Sequence, residues 1–228
     1  YHAAHDIGHA LQHLMQIGCT SFSSRGSKTK DGKLILGRNF DFYVGDKFAE
    51  DKIVTFYNPS KGFKFVEITW GGFIGTVSGM NDQGLTVTLN AAKSDIPFSS
   101  ANPISLIARE ILQYASTIEE AYEIAQNRDA FVAEAIMIGS AKDNNTAIIE
   151  ITPNNCSLYY PKTEIVIGPN HFQSDFFKDT ELNLENITES SSMYRFNRMN
   201  ELIKKHDTIG YIEAAEILRD RKGLNDSD

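Results

Sequence analysis

The chain has 228 residues, 41% of them apolar and 23% charged, with a formal net charge of −8, the make-up of a globular domain long enough for a sizeable core. The acidic balance, with no Lys/Arg-rich stripe, argues against a nucleic-acid partner, and no apolar run approaches the ~20 residues that a membrane-spanning helix needs. Two cysteines, Cys19 and Cys156, are too few for a disulfide framework and lack metal-ligand spacing.

Residues 2–16 read as a helix ended by Gly18. Short β-rich runs follow at Cys19–Ser23, Lys33–Phe40, Ile53–Tyr57, Phe63–Trp70, Phe73–Ser78 and Leu85–Leu89, punctuated by Asp31-Gly32, Asn81-Asp82 and Gln83-Gly84 as hairpin turns would be. Leu85, Val87 and Leu89 alternate with Thr86, Thr88 and Asn90, the pattern of a half-buried strand. Asn102-Pro103 then starts a helix with Ile104, Ile107, Ile111 and Leu112 on its apolar face. Thr117 with Glu120 forms a capping box before a second helix, Ile118 to Gln126. Strands return at Ala135–Ser140, Thr146–Ile151, Ser157–Tyr160 and Glu164–Ile167, and two helices, Ser192–Lys204 and Ile209–Leu218, follow. This order lacks the alternation of a parallel βαβ protein. It predicts an α+β sandwich of antiparallel sheets with helices packed outside. The chain opens on Tyr1 rather than Met and closes on the polar Asp226, Ser227 and Asp228, so both ends read as cut, and the compartment is not legible.

The chemistry-bearing residues fall in five short runs: Gly18-Cys19-Thr20, Arg38-Asn39-Phe40-Asp41, Leu89-Asn90-Ala91, Asn170-His171-Phe172 and Ser192-Met193-Tyr194-Arg195. A cysteine, two arginines, an aspartate and two asparagines make an acyl-transfer set. Nearby Arg charge favours a thiolate, and Asn side chains can stabilise an oxyanion. Arg38 and Asp41 face one site if their strand bends. No histidine pairs convincingly with Cys19, which leaves the α-amino group of Cys19 itself as the base once the preceding peptide is cut. Cys156 reads as a small buried hydrophobe. Phe63, Phe65, Trp70 and Phe73 read as core or pocket lining.

These runs, in this order, resemble the N-terminal nucleophile hydrolases with cysteine at the cut site. They are most similar to the acyl-coenzyme A:6-aminopenicillanic acid acyltransferase family and, more distantly, to the choloylglycine hydrolases and penicillin V acylases. The resemblance implies a four-layer αββα fold, a leader over residues 1–18 and a catalytic domain over residues 19–228. It implies that Cys19 is the nucleophile, freed by self-cleavage of the Gly18–Cys19 bond, with glycine at 18 letting the backbone approach and strain cheaply. Arg38 would bias the thiol toward thiolate and Asp41 would hold the α-amino group. Asn90 would help bind substrate or oxyanion, Asn170 would donate into the oxyanion hole, and Arg195 would complete the charge network. Relatives continue with β structure past the last helices, so the domain is expected to be incomplete at its C-terminus.

The expected reaction is cleavage or transfer of an acyl group from a small N-acyl amide through a Cys19 thioester. No metal or redox cofactor is expected, although a coenzyme A thioester is an allowed acyl donor, and a homo-oligomer is allowed. A simple amidase of the bile salt hydrolase type, with water as acceptor, is the alternative within the class. Outside it stands a non-catalytic or metal-binding module, because His2, His5, His9 and His13 would share one helical stripe.

Overall fold

The structure, a computed structural model, describes residue 6 and residues 17–42, 50–93 and 101–227. The predicted helix over 2–16 lies outside these residues apart from Asp6, and so do the four histidines of its stripe.

The described strands form two antiparallel sheets. The smaller has β1 (Ile17–Ser24) at its centre, flanked by β2 (Ile35–Phe42) and β10 (Ile165–Gly168). The larger is a seven-stranded meander of β3 (Lys52–Tyr57), β4 (Phe65–Trp70), β5 (Ser78–Asn81), β6 (Leu85–Ala91), β7 (Glu134–Ser140), β8 (Asn145–Ile151) and β9 (Cys156–Tyr159). Consecutive strands are spatial neighbours here, as short hairpin connections require. The two helices α1 (Ile104–Tyr114) and α2 (Ile118–Gln126) interrupt the meander, and α3 (Glu181–Glu189), α4 (Ser192–Lys204) and α5 (Tyr211–Leu218) close the chain.

Three apolar cores separate four layers. Ile104, Ile107, Ile111 and Leu112 of α1 pack on Leu85, Val87, Leu89, Ile136 and Ile138 of the large sheet. Ala135, Met137, Ile148, Val166 and Phe172 fill the space between the sheets. Phe22 and Ile167 of the small sheet meet Met199 and Ile203 of α4 and Ala214 and Ile217 of α5. This is the αββα layering that the resemblance implies.

Glycines and side-chain caps fix the local details. Gly84 turns β5 into β6 at φ +78°, a backbone region open to glycine at little cost. A Cβ at Gly79 would stand 2.6 Å from Leu112 Cδ2 and 2.8 Å from the Val66 carbonyl, so only glycine lets α1 approach β5. Thr117 Oγ1 accepts from the Glu120 amide at 3.2 Å, half of the expected capping box. The Glu120 carboxylate, rather than folding back on Thr117 alone, bonds the Ser116 amide and hydroxyl at 2.7 and 2.8 Å.

Three expectations change. Residues 73–77 are not a strand. Phe73 closes a turn on the Trp70 carbonyl and Thr76 Oγ1 donates to the buried Glu67 carboxylate at 2.5 Å, so side chains claim the segment and pairing resumes at Ser78. Helix α3 was not foreseen, because it buries Asn183 and Asn186 rather than an apolar stripe. The polar face of β6 is also not solvated, since Thr88 and Asn90 turn toward the small sheet and meet Ser21.

Candidate active site

Cys19 sits inside β1, fully buried, with Gly18 opposite Asp41 and Cys19 opposite Phe40 in an unbroken register. Strand alternation turns Cys19, like Ser21, toward the large sheet and turns Thr20 and Phe22 toward α4 and α5. Gly18 does not have positive φ. A Cβ there would rest 3.5 Å from Arg195 Cζ, an ordinary van der Waals contact. Neither positive φ nor a steric clash therefore requires glycine at 18.

Each polar atom of Cys19 meets its own partner. Its backbone N–H donates to Asn170 Oδ1 at 2.8 Å. Its carbonyl accepts from Arg195 Nη1. Its sulfur lies 3.5 Å from Arg38 Nη2. Burial pushes the Cys19 thiol up, the Arg38 charge pulls it down, and the buried Glu134 carboxylate on β7 pushes it up again. The Asp41 backbone amide and Arg195 also favour the thiolate, by smaller amounts.

Arg38 enters from β2 between the sheets. Nη1 donates to Ser78 Oγ at 2.9 Å, and Nη2 also donates to the Leu89 carbonyl. Asp41 is three residues further along the same regular strand, so the two do not face one site from one side. Asp41 lies across from Gly18, its side chain exposed, and feels Arg195 more strongly than Arg38. The bend that would bring Arg38 and Asp41 to one face is absent.

Arg195, one turn into α4, approaches from the helical side. Besides the Cys19 carbonyl it donates to Thr20 Oγ1 at 2.8 Å and to Asn170 Oδ1 at 2.8 Å. Asn170 Oδ1 therefore takes two donors, while Nδ2 donates to the Ala91 carbonyl at 2.7 Å. These partners fix the amide orientation, since a flipped amide would face donors with donors. In this arrangement Asn170 holds the Cys19 nitrogen as an acceptor. One N–H of its Nδ2 is taken by the Ala91 carbonyl.

Asn90 is one layer removed. Its Oδ1 accepts from Ser21 Oγ at 2.9 Å and its Nδ2 donates to the Gly168 carbonyl at 2.6 Å. The side chain thus cross-links β6, β1 and β10 instead of reaching into the cleft. His171 also stays away from the sulfur. Asn170 N–H donates to Ser192 Oγ at 2.9 Å, and the same hydroxyl is hydrogen-bonded to His171 Nδ1 at 2.8 Å. Burial, with the Arg195 charge, lowers this imidazole to about 4.

The loop carrying Asn170 is latched by groups that have no sequence signature. Asn186 donates to the Asn170 carbonyl at 2.6 Å, and the buried Glu150 carboxylate accepts from the Gln173 and Ser174 amides at 2.5 and 3.0 Å. Ser192 heads the Ser-x-x-Arg run, whereas Ser78 merely ended a predicted strand. A cavity of about 1010 Å³, walled by Leu34, Leu36, Val54, Val66, Ile68 and Met80, reaches Arg38 and Ser78. A second, of about 310 Å³, is walled by Phe40, Phe42, Trp70 and Lys52 and shares Arg38, Ile68 and Ser78 with the first. Trp70 lines this cavity, whereas Phe65 and Phe73 belong to the core. No cluster of metal-ligating side chains occurs among the described residues. No described helix is long and apolar enough to cross a membrane.

A match to the family described as acyl-coenzyme A:6-aminopenicillanic acid acyl-transferase spans residues 27–227. The chain belongs to this family. Among proteins similar in sequence, an uncharacterized protein of Archaeoglobus fulgidus is 25% identical over 155 residues, covering 66% of this chain and 26% of that protein. The N-acylethanolamine-hydrolyzing acid amidase of Caenorhabditis elegans is 22% identical over 159 residues, covering 66% of this chain and 44% of the amidase. The chain thus spans less than half the length of either relative. Among solved structures, the Caenorhabditis elegans N-acylethanolamine-hydrolyzing acid amidase ortholog superposes with a TM-score of 0.66 at 16% identity, covering 91% of this chain and 88% of that one. A variant of the conjugated bile acid hydrolase from Clostridium perfringens gives a TM-score of 0.60 at 15% identity, covering 91% and 82%. The family is one of amide hydrolases and acyltransferases, and the fold is that of the N-terminal nucleophile hydrolases. Cys19 precedes the matched span, so its role rests on the geometry above.

Proposed function

We propose that this member of the acyl-transferase family is a self-activating cysteine amidohydrolase or acyltransferase with Cys19 as nucleophile. The observation that carries this reading is that the nitrogen, carbonyl and sulfur of Cys19 are each held by a separate side chain, Asn170, Arg195 and Arg38.

In the first step the Cys19 sulfur attacks the Gly18 carbonyl. The C–N bond breaks, a thioester forms, and the nitrogen gains the proton that the thiol loses. Asn170 Oδ1 keeps that nitrogen in place as it changes from amide to amine. Water hydrolyses the thioester, which leaves the Gly18 carboxylate and a free thiol. The new α-amino group then serves as the base, His171 being hydrogen-bonded to Ser192. It takes the thiol proton while Arg38 offsets the charge on sulfur. The thiolate forms an acyl-thioester with an N-acyl amide, the amine departs, and water or a second nucleophile accepts the acyl group.

The test is intact mass of the denatured protein before and after incubation with p-nitrophenyl acetate. The expected parent spectrum shows two fragments split between Gly18 and Cys19, and an acetyl adduct on the fragment that begins at Cys19. Cys19→Ala should remain a single chain without adduct. Cleavage or p-nitrophenol release that survives Cys19→Ala overturns the proposal.

A further inference from the structure

The hold on Arg38 is unusually lean. Its Nε is buried without a partner among the described residues, so the two Nη groups carry its polar contacts. Nη2 is shared between the Leu89 carbonyl and the Cys19 sulfur. The face of the guanidinium lies on Phe40, with Cζ 4.3 Å from the ring centroid. That contact holds the guanidinium over the ring, and its orientation there depends on the groups that its nitrogens meet. A planar fork needs two anchor points to fix its in-plane orientation. The Leu89 carbonyl is one, and Ser78 Oγ, 2.9 Å from Nη1, is the other.

We propose that Ser78 is a positioning residue for the thiol, its hydroxyl turning the Arg38 fork so that Nη2 points at Cys19 Sγ. The inference rests on the reading of Cys19 as nucleophile and adds a residue with no motif of its own. Ser78 stands at the first position of β5 because residues 73–77 are held in a loop, so the irregular segment delivers the hydroxyl to the arginine. Ser78 also lines both cavities, and substrate entering either one meets the Arg38–Ser78 pair. Without the hydroxyl, Nη1 swings to solvent in the cleft and Nη2 keeps only the Leu89 carbonyl. The sulfur then loses its nearest positive charge.

The test is the rate of Cys19 acetylation by p-nitrophenyl acetate followed across about pH 6 to 10, where a shifted cysteine is read out as a kinetic midpoint. In Ser78→Ala the midpoint should move up by roughly half to one pH unit, and the rate near pH 7 should fall about three- to tenfold. Ser78→Thr, which keeps the hydroxyl, should return both to parent values. Ser78→Val, isosteric with the threonine variant but without the hydroxyl, should move the midpoint in the same direction and supplies the comparison if the alanine variant folds poorly. A Ser78→Ala profile that superimposes on the parent overturns the inference and leaves the nucleophile standing. A parent protein without Cys19-dependent acetylation overturns the proposed function, and the role of Ser78 falls with it.

Discussion

Arg195 is the residue whose side chain could least be exchanged. Its fork spans the Cys19 carbonyl, Thr20 Oγ1 and Asn170 Oδ1, and its Nε reaches Ser191 Oγ at 3.3 Å. Lysine keeps the charge and offers one compact ammonium, which cannot satisfy four acceptors in a plane. Arg195→Lys should therefore slow both self-cleavage and turnover, by about tenfold or more. It should also cost about 1–3 kcal/mol of stability, because buried acceptors are left unpaired. Fragment appearance by mass spectrometry and urea unfolding check the two effects. Parent-like cleavage in Arg195→Lys would show that charge alone suffices. Most of the groups around Cys19 were legible in the sequence, since Arg38, Asn170 and Arg195 stand in short motifs. Their directions were not. Whether an asparagine donates or accepts depends on what surrounds it. Here two donors fall on Asn170 Oδ1 and a carbonyl on Nδ2, so the side chain holds the Cys19 nitrogen as an acceptor. The face on which a strand residue lies depends on register, which separates Asp41 from Arg38. Ser78 and Glu150 had no signal, because single serines and glutamates are common and their importance comes from contacts across the layers.

At the scale of elements, amphipathic segments were readable and amide-rich ones were not. The apolar positions of α1 and β6 fall on one face in sequence and in space. By contrast, α3 packs through Asn183, which bonds both the amide and the carbonyl of Phe172, and through Asn186 on the Asn170 carbonyl. Asn81 shows the same economy at the β5–β6 turn. Its Oδ1 accepts from the Gln83 and Leu85 amides at 3.1 and 2.9 Å. Its Nδ2 donates to the Leu112 and Ala115 carbonyls at 2.9 and 2.7 Å, at the C-terminal end of α1. One side chain thus closes a hairpin and caps a helix that would otherwise leave carbonyls buried and bare. Asn81→Ala should cost about 2–4 kcal/mol, measured as a lower urea midpoint with unchanged slope. Asn81→Asp keeps the two accepted bonds and sets a carboxylate against two carbonyls, so it should be no better than alanine. An aspartate variant as stable as the parent would mean that the helix end is satisfied by other groups.

At the scale of the molecule, each pair of neighbouring layers is joined by an apolar core, and the site is built where β1 meets both the large sheet and α4. That junction contains His171, kept neutral by burial and the Arg195 charge, and it gives the stability a pH dependence whose sign can be worked out. The unfolded imidazole titrates near the ordinary 6.5 and the folded one at about 4. Between those values the unfolded chain binds the extra proton and the folded chain does not, so stability falls as pH drops through the window and levels below about 4. The buried Glu67 and Glu150 carboxyls, both raised by desolvation, act in the opposite direction, since acid relieves the cost of burying their charge. The net curve therefore hides the histidine, and a difference is needed to see it. In His171→Gln the residue no longer titrates, while the carboxylates remain. The unfolding free energy of the parent minus that of the variant should be constant well above pH 6.5 and should decrease by about 3 kcal/mol as pH falls to 4. Urea titrations at half-unit intervals measure it. A difference that stays flat across the window would mean that His171 accepts its proton as readily in the folded state as in the unfolded chain, and that burial does not hold the ring neutral.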